Sequence, residues 1–282
     1  TKLSAHGGHI GPNLGMVEAT IALHYVFNSP VDKIVYDVSH QSYAHKMLTG
    51  RKDAFLHAEE YDEVTGYTNP QESKHDFFTI GHTSTSVSLA CGLAKARDLK
   101  RGRENIIAVI GDGSLSGGEA YEGLSNAGET GTNLIVVVND NEMSIAENHG
   151  GLYQNLKALR DSDGQTPCNF FKSLGLDYIY VKDGNDITAL IHAFTQVKDI
   201  PRPVVVHIHT LKGKGYTLAE TYKERFHWGM PFNLETGQPL SDEGNTEDYC
   251  NLTGKFLLEQ MQKDPTLSLI HISEPTRPEP IS

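Results

Sequence analysis

Asn105-Ile106-Ile107-Ala108-Val109-Ile110-Gly111-Asp112-Gly113-Ser114, followed by Leu134-Ile135-Val136-Val137-Val138-Asn139-Asp140-Asn141, decides the fold. Each stretch is a strand-sized apolar run that stops at polar residues, and the segment from Gly118 to Glu129 between them reads as a helix. Two such strands joined by a helix make a βαβ crossover, and continuous apolar runs are what a parallel sheet buried on both faces requires. The same rhythm extends outward. Leu14, Val17, Ile21, His24 and Tyr25 predict an amphipathic helix over 13–27, and Ile34 to Val38 a strand ending in a polar cluster. A polar turn from Gly81 to Ser86 opens an Ala-rich helix running to about Lys100. Tyr178 to Val181 and Val204 to His209 read as strands, with a helix from Asp186 to Lys198 between them. The fold class is therefore α/β: three layers, α/β/α, around a mainly parallel sheet.

Composition narrows the function. The 282 residues, 38% hydrophobic, are enough for one large domain or two small ones, and no apolar run approaches the roughly 18 residues that cross a bilayer. A formal charge of −12 without an arginine-rich stripe opposes nucleic acid. Cys91, Cys168 and Cys250 form no CxxC pair, which argues against a disulfide framework, a structural zinc and an iron–sulfur cluster and fits a reducing cytosol. The chain starts at Thr1 rather than methionine, so upstream sequence is expected. Glu220 to Glu247, polar with scattered aromatics, reads as a surface loop or arm. Residues 268–282, Pro-rich, look like translated sequencing-adapter DNA and are read as a non-native tail.

Ligands of open α/β sheets bind at the carboxyl ends of strands, where Asp112 and, 29 positions later, Asn141 stand. A carboxylate and an amide oxygen are hard ligands suited to Mg²⁺, which takes its remaining ligands from water and phosphate, so a diphosphate is the expected anion. Gly113 and Ser114, at the start of the next helix, can offer backbone N–H groups to it. A lone Gly-Asp-Gly is more often a plain turn. The pairing of Gly111-Asp112-Gly113 with Asn139-Asp140-Asn141 across a helix and a buried strand resembles the thiamine-diphosphate motif; no GxGxxG or GK[ST] accompanies it.

The resemblance extends over residues 3 to about 235. Gly7-Gly8-His9, Asp37-Val38-Ser39-His40-Gln41-Ser42-Tyr43, Leu48-Thr49-Gly50-Arg51, Gly81-His82-Thr83-Ser84-Thr85-Ser86 and Lys212-Gly213-Lys214-Gly215-Tyr216 are similar to successive signatures of the 1-deoxy-D-xylulose-5-phosphate synthase family, of which transketolases share the sparser elements. The resemblance implies Mg²⁺ on Asp112, Asn141 and the carbonyl of Met143. It also implies thiamine diphosphate lined by His40, Gly81, His82, Thr83, Gly113, Ser114, Asn141 and Tyr216, and His9 and His227 near the thiazolium. It further implies pyruvate and glyceraldehyde 3-phosphate as substrates, a cytoplasmic homodimer when full-length, and a second domain supplying an activating glutamate. On this reading residues 1–235 form the diphosphate and metal domain and 236–267 begin the connection to the missing pyrimidine-binding domain. A transketolase-like ketol transferase and a non-catalytic cofactor-binding fragment are the alternatives.

Three departures bear on the acceptor. His227-Trp228-Gly229-Met230-Pro231-Phe232 stands where the family usually has His-Ala-Val-Pro-Lys-Phe, the stretch between Leu152 and Phe170 is shorter than the family's insert, and His9-Ile10-Gly11-Pro12-Asn13 leans toward transketolases. Of the 14 histidines, His24, His57, His75, His149, His192 and His271 read as surface or core residues, and His207 and His209 as structural residues sharing one strand face. Lys212 and Lys214 fit a solvated loop or an aid to an anionic ligand equally well.

Overall fold

Ile106, Ala108 and Ile110 point to one face of their strand and Ile107 and Val109 to the other, and all five are fully buried, so helices must cover both faces. The computed structural model of the chain describes residues 2–240 and 249–267. It contains strands β1 (Gly8–His9), β2 (Lys33–Tyr36), β3 (Ile106–Gly111), β4 (Leu134–Asp140), β5 (Asp177–Val181), β6 (Pro203–His209) and β7 (Trp228–Gly229). β2, β3, β4, β6 and β5 lie side by side in that order as a wholly parallel sheet, and β1 pairs with β7 antiparallel as a separate ribbon. The helices Ser86–Leu99, Gly118–Thr130 and Gly151–Asp161 pack on one face. Val17–Val26 and Ile187–Val197 pack on the other, completing the three layers. The chain passes from β4 to the far-edge strand β5 before returning to β6, so the order switches beside β4, where ligands of such sheets bind.

Two expectations need correction. The face predicted for the first helix is its outer one: Ile21 is 37% and Tyr25 74% exposed, whereas Ala19, Ala22 and Leu23 are buried. Alanines beside Leu23 let this helix pack on the sheet and on the Ile187–Val197 helix, which leaves Ile21 and Tyr25 outside. It is also broken, a short turn Gly11–Leu14 preceding Val17–Val26. The segment after Glu220 is not simply an arm, because Phe226 and Phe232 are buried with Ile10 and Ala219 while β7 returns to pair with β1. Residues 241–248 and 268–282 lie outside the described residues; the helix Tyr249–Lys263 follows the first of these gaps. Among the described residues no helix is long and apolar enough to cross a membrane.

The carboxyl end of β2 is fixed by Asp37. Its two carboxylate oxygens accept the N–H groups of Ser84 and Ser86, each at 2.9 Å, which caps the helix Ser86–Leu99 from another strand and anchors the Gly81–Ser86 turn. Asp37→Ala leaves two buried donors without partners and is expected to destabilise the fold by about 2–4 kcal/mol, with Asp37→Asn intermediate. Urea denaturation checks this, and equal stability of all three proteins would contradict it.

Candidate active site

β3 and β4 run in register with Gly111 beside Asn139, so the residues that follow them meet at one edge. Asp112 opens a single helical turn, Asp112–Leu115, and is 1% exposed. Burial and the charge of neighbouring Asp140 hold its carboxyl well above the usual carboxylate range. Asp140 goes the other way: burial would raise it, but a hydrogen bond from His207 and the Arg160 guanidinium hold it below the ordinary value. His207 Nε2 lies 2.8 Å and Arg160 Nη1 2.5 Å from Asp140 Oδ2. Asp112 Oδ2 accepts from Asn148 Nδ2 at 2.9 Å. Lys212, 1% exposed, donates to the Ser144 carbonyl at 2.6 Å. Burial brings its pKa down to about 8 against the opposing charge of Asp112. Lys212 is therefore a buried member of this corner, whereas Lys214 is exposed.

The loop after β4 is built on short local bonds. Asn141 Oδ1 accepts the Met143 N–H at 3.2 Å, and a Cβ at Gly113 would stand 2.2 Å from Ser144 Oγ, so only glycine lets the loop close over the Asp112 turn. Ser84 Oγ donates to the Ser114 carbonyl at 2.7 Å, tying the exposed Gly81-His82-Thr83 turn to the same turn. A cavity of about 1340 Å³ opens here, with Asp112, Asp140, Met143, Asn148, Tyr153 and Arg160 in its wall.

Three imidazoles gather nearby. The ring centroids of His9 and His40 are 4.7 Å apart, His9 and His227 5.6 Å, and His40 and His227 5.5 Å. The β1–β7 ribbon delivers His9 and His227, with the Ile10 N–H donating to the His227 carbonyl at 3.2 Å. Asn13 Nδ2 donates to the carbonyls of His9 (2.8 Å) and His40 (2.7 Å), and its Oδ1 accepts the Tyr43 N–H, so one buried side chain sets two of the three backbones. Burial lowers His9 to about 4 and, helped by Lys212, His227 to about 3; burial also holds His40 well below its ordinary value. All three are neutral at pH 7, and the buried Nδ1 atoms of His40 and His227 have no hydrogen-bond partner. Tyr216 packs its ring on Phe226 and donates its hydroxyl to the Leu234 carbonyl at 2.8 Å.

These residues fit a divalent cation and a polar cofactor. Asp140 has Arg160 and His207, whereas the buried Asp112 beside it is bonded by the neutral Asn148 amide, and the orphaned imidazole nitrogens need a polar partner. Among the described residues no cluster of three or more His, Cys, Asp or Glu side chains could hold a metal, so the donors available are mixed oxygens: the Asp112 carboxylate, the Asn141 amide and the Met143 carbonyl, a set suited to Mg²⁺. Sequence reasoning did not select Asn13, Asn148 or Arg160, whose partners stand 4 to 36 positions away and leave no local pattern.

The family model described as 1-deoxy-D-xylulose-5-phosphate synthase matches residues 1–166 and 162–210. The chain belongs to that family. Among curated relatives of that name, those of Caldanaerobacter subterraneus and Alkaliphilus oremlandii are 41% and 40% identical over 97% and 98% of this chain and 50% of their own length. This member of the synthase family thus spans about half the length of the curated relatives it matches. The Caldanaerobacter alignment runs over 310 positions, more than the chain's 282 residues, and the two segments of the family match meet at 162–166. The overlap of the two family segments falls inside the stretch between Leu152 and Phe170. Similar solved structures are transketolases, from Leishmania mexicana (TM-score 0.64, 19% identity, 94% of this chain and 45% of that one) and a Pichia stipitis variant (0.62, 20%, 94% and 45%), which establish the α/β fold.

Imidazoles in the unfolded chain ionise near the ordinary 6.5, those in the folded cluster only near 4 or below. The unfolded state therefore binds protons first, so stability is full above pH 6.5 and falls between there and about 4. Buried Asp112 works in the opposite sense, so the test is a difference: in urea melts from pH 7 to 5, wild type should lose more stability than His227→Gln, and an equal loss in both would contradict the assignment.

Proposed function

We propose that the chain is the metal- and diphosphate-binding half of a thiamine-diphosphate-dependent transferase that condenses pyruvate with glyceraldehyde 3-phosphate, with loss of CO₂, to give 1-deoxy-D-xylulose 5-phosphate. The observation that carries this reading is the buried Asp112–Asp140 pair at the ends of β3 and β4, beside three neutral imidazoles, in a chain of the synthase family. Asp112, Asn141 and the Met143 carbonyl would hold Mg²⁺. The amides of Gly113 and Ser114 and the Gly81-His82-Thr83 turn would receive the diphosphate. His40 and Tyr216 complete the proposed cofactor set.

Thiamine diphosphate, when bound, supplies an electron sink for decarboxylating a 2-oxo acid. The chain's own part is orientation and proton handling. His9 and His227 are uncharged at pH 7, so each can donate at one nitrogen and accept at the other toward a substrate oxygen. Burial around them keeps water from competing for those protons. In the proposed whole protein, residues 1–235 form the diphosphate and metal unit and 236–267 lead toward a pyrimidine-binding unit. That protein is a homodimer acting in the cytoplasm, and its other half supplies the glutamate that activates the cofactor.

The test is a product assay on the whole protein with Mg²⁺, thiamine diphosphate, pyruvate and glyceraldehyde 3-phosphate. CO₂ release with 1-deoxy-D-xylulose 5-phosphate is expected, and Asp112→Asn should lower Mg²⁺-dependent cofactor affinity at least roughly tenfold. Ketol transfer from a sugar phosphate without decarboxylation would overturn the proposed reaction.

A further inference from the structure

The loop 141–150 carries two of the proposed metal ligands, and its internal bonds are short-range, Met143 N–H to Asn141 Oδ1 and Ser144 Oγ to Asn148 Oδ1 among them. From outside, Lys212 holds the Ser144 carbonyl and Asp112 holds Asn148, while a guanidinium fixes the loop's start. Arg160, on the helix Gly151–Asp161, donates through Nη1 to Asp140 Oδ2 at 2.5 Å and through Nη2 to Glu142 Oε2 at 3.1 Å, so one planar guanidinium brackets Asn141 from both sides in sequence. Both carboxylates have a second support on β6. His207 Nε2 reaches the same Asp140 oxygen at 2.8 Å, and His209 Nε2 lies 3.0 Å from Glu142 Oε1. Behind His207, the Tyr178 hydroxyl on β5 sits 2.7 Å from Nδ1, which leaves Nε2 to donate to Asp140. The helix bearing Arg160 is itself pinned by the short turn after it: a Cβ at Gly164 would stand 2.9 Å from the Tyr180 Cβ.

We propose that Arg160 is a positioning residue that holds the 141–150 loop in its ligand-ready form before any cation arrives. The inference rests on the function proposed above, since it assigns the loop to Mg²⁺ and the diphosphate. A loop ordered in advance loses little conformational entropy on binding, so the clamp adds affinity beyond the stability that Arg160 lends by pairing with buried Asp140. Lysine could meet only one of the two carboxylates as a point charge and is a partial substitute.

The experiment uses the full chain and compares wild type with Arg160→Met, Arg160→Lys and, as a control on a solvent-exposed ion pair nearby, Lys182→Met. Amide hydrogen exchange without ligand is expected to rise at least tenfold in peptides covering 141–150 for Arg160→Met, to an intermediate level for Arg160→Lys, and not for the control. Exchange in β3 and β4 rises less than in the loop, the small rise reflecting the partner that Asp140 loses at the end of β4. Calorimetric titration of thiamine diphosphate in Mg²⁺ should then show affinity falling in the same order, about tenfold for Arg160→Met. Unaltered loop exchange, exchange raised equally throughout the sheet, or a loosened loop with unaltered affinity would each overturn the proposal. A wild-type chain that binds no thiamine diphosphate would instead sink the functional reading, and the exchange data alone would decide whether Arg160 clamps the loop.

Discussion

Asp112 and Asp140 repel one another inside the protein, and much of the site is an answer to that repulsion. Adjacent parallel strands bring both carboxylates to one edge, where burial removes the water that would otherwise screen them. The fold supplies Arg160 and His207 to Asp140 and leaves Asp112 with the amide of Asn148 and the more distant charge of Lys212. The charge deficit is thus concentrated on the residue that the motif assigns to a cation. Removing one partner of a buried charged set costs far more than the set contributes in sum, which makes the corner sensitive to every member.

A second buried ionic network supports the imidazole side. Arg51 meets both oxygens of Asp76 at 2.6 and 2.9 Å, His45 Nε2 lies 2.9 Å from Asp76, and Lys46 is paired with Glu72. Asp76 and Glu72 in turn accept the N–H groups of Asn69 and Thr65, which fixes the segment that sets Tyr67 6.1 Å from His9. From Thr68 the order passes through Ser39 Oγ to the Ile80 carbonyl, next to the Gly81 turn. The candidate site is thus held by polar groups from segments far apart in sequence rather than by one local motif.

That distribution explains what the sequence could reveal. The five strands of the sheet were legible because burial on both faces demands unbroken apolar runs, and Asp112 and Asn141 because a polar residue ending such a run stands out. The first helix misleads because Ala19 and Ala22 share its buried face with Leu23 while Ile21 and Tyr25 lie outside, so hydrophobic size points to the wrong side. Phe226 and Phe232 do not stand out as core because Ile10, their partner at the far end of the chain, gives no local pattern. Lys212 could be read either way until the loop that covers it was in place, and nothing around Arg160 in sequence marks it as a partner of Asp140.

The central claim is that Asp112 is a buried carboxylate waiting for a cation. Carbon-detected NMR of the side-chain carboxyl groups, followed against pH, tests it most directly. Without divalent cation Asp112 should titrate above the ordinary carboxylate range, and with Mg²⁺ and thiamine diphosphate it should stay ionised throughout that range. A titration at the ordinary value, or one that Mg²⁺ and the diphosphate leave unmoved, would contradict the account.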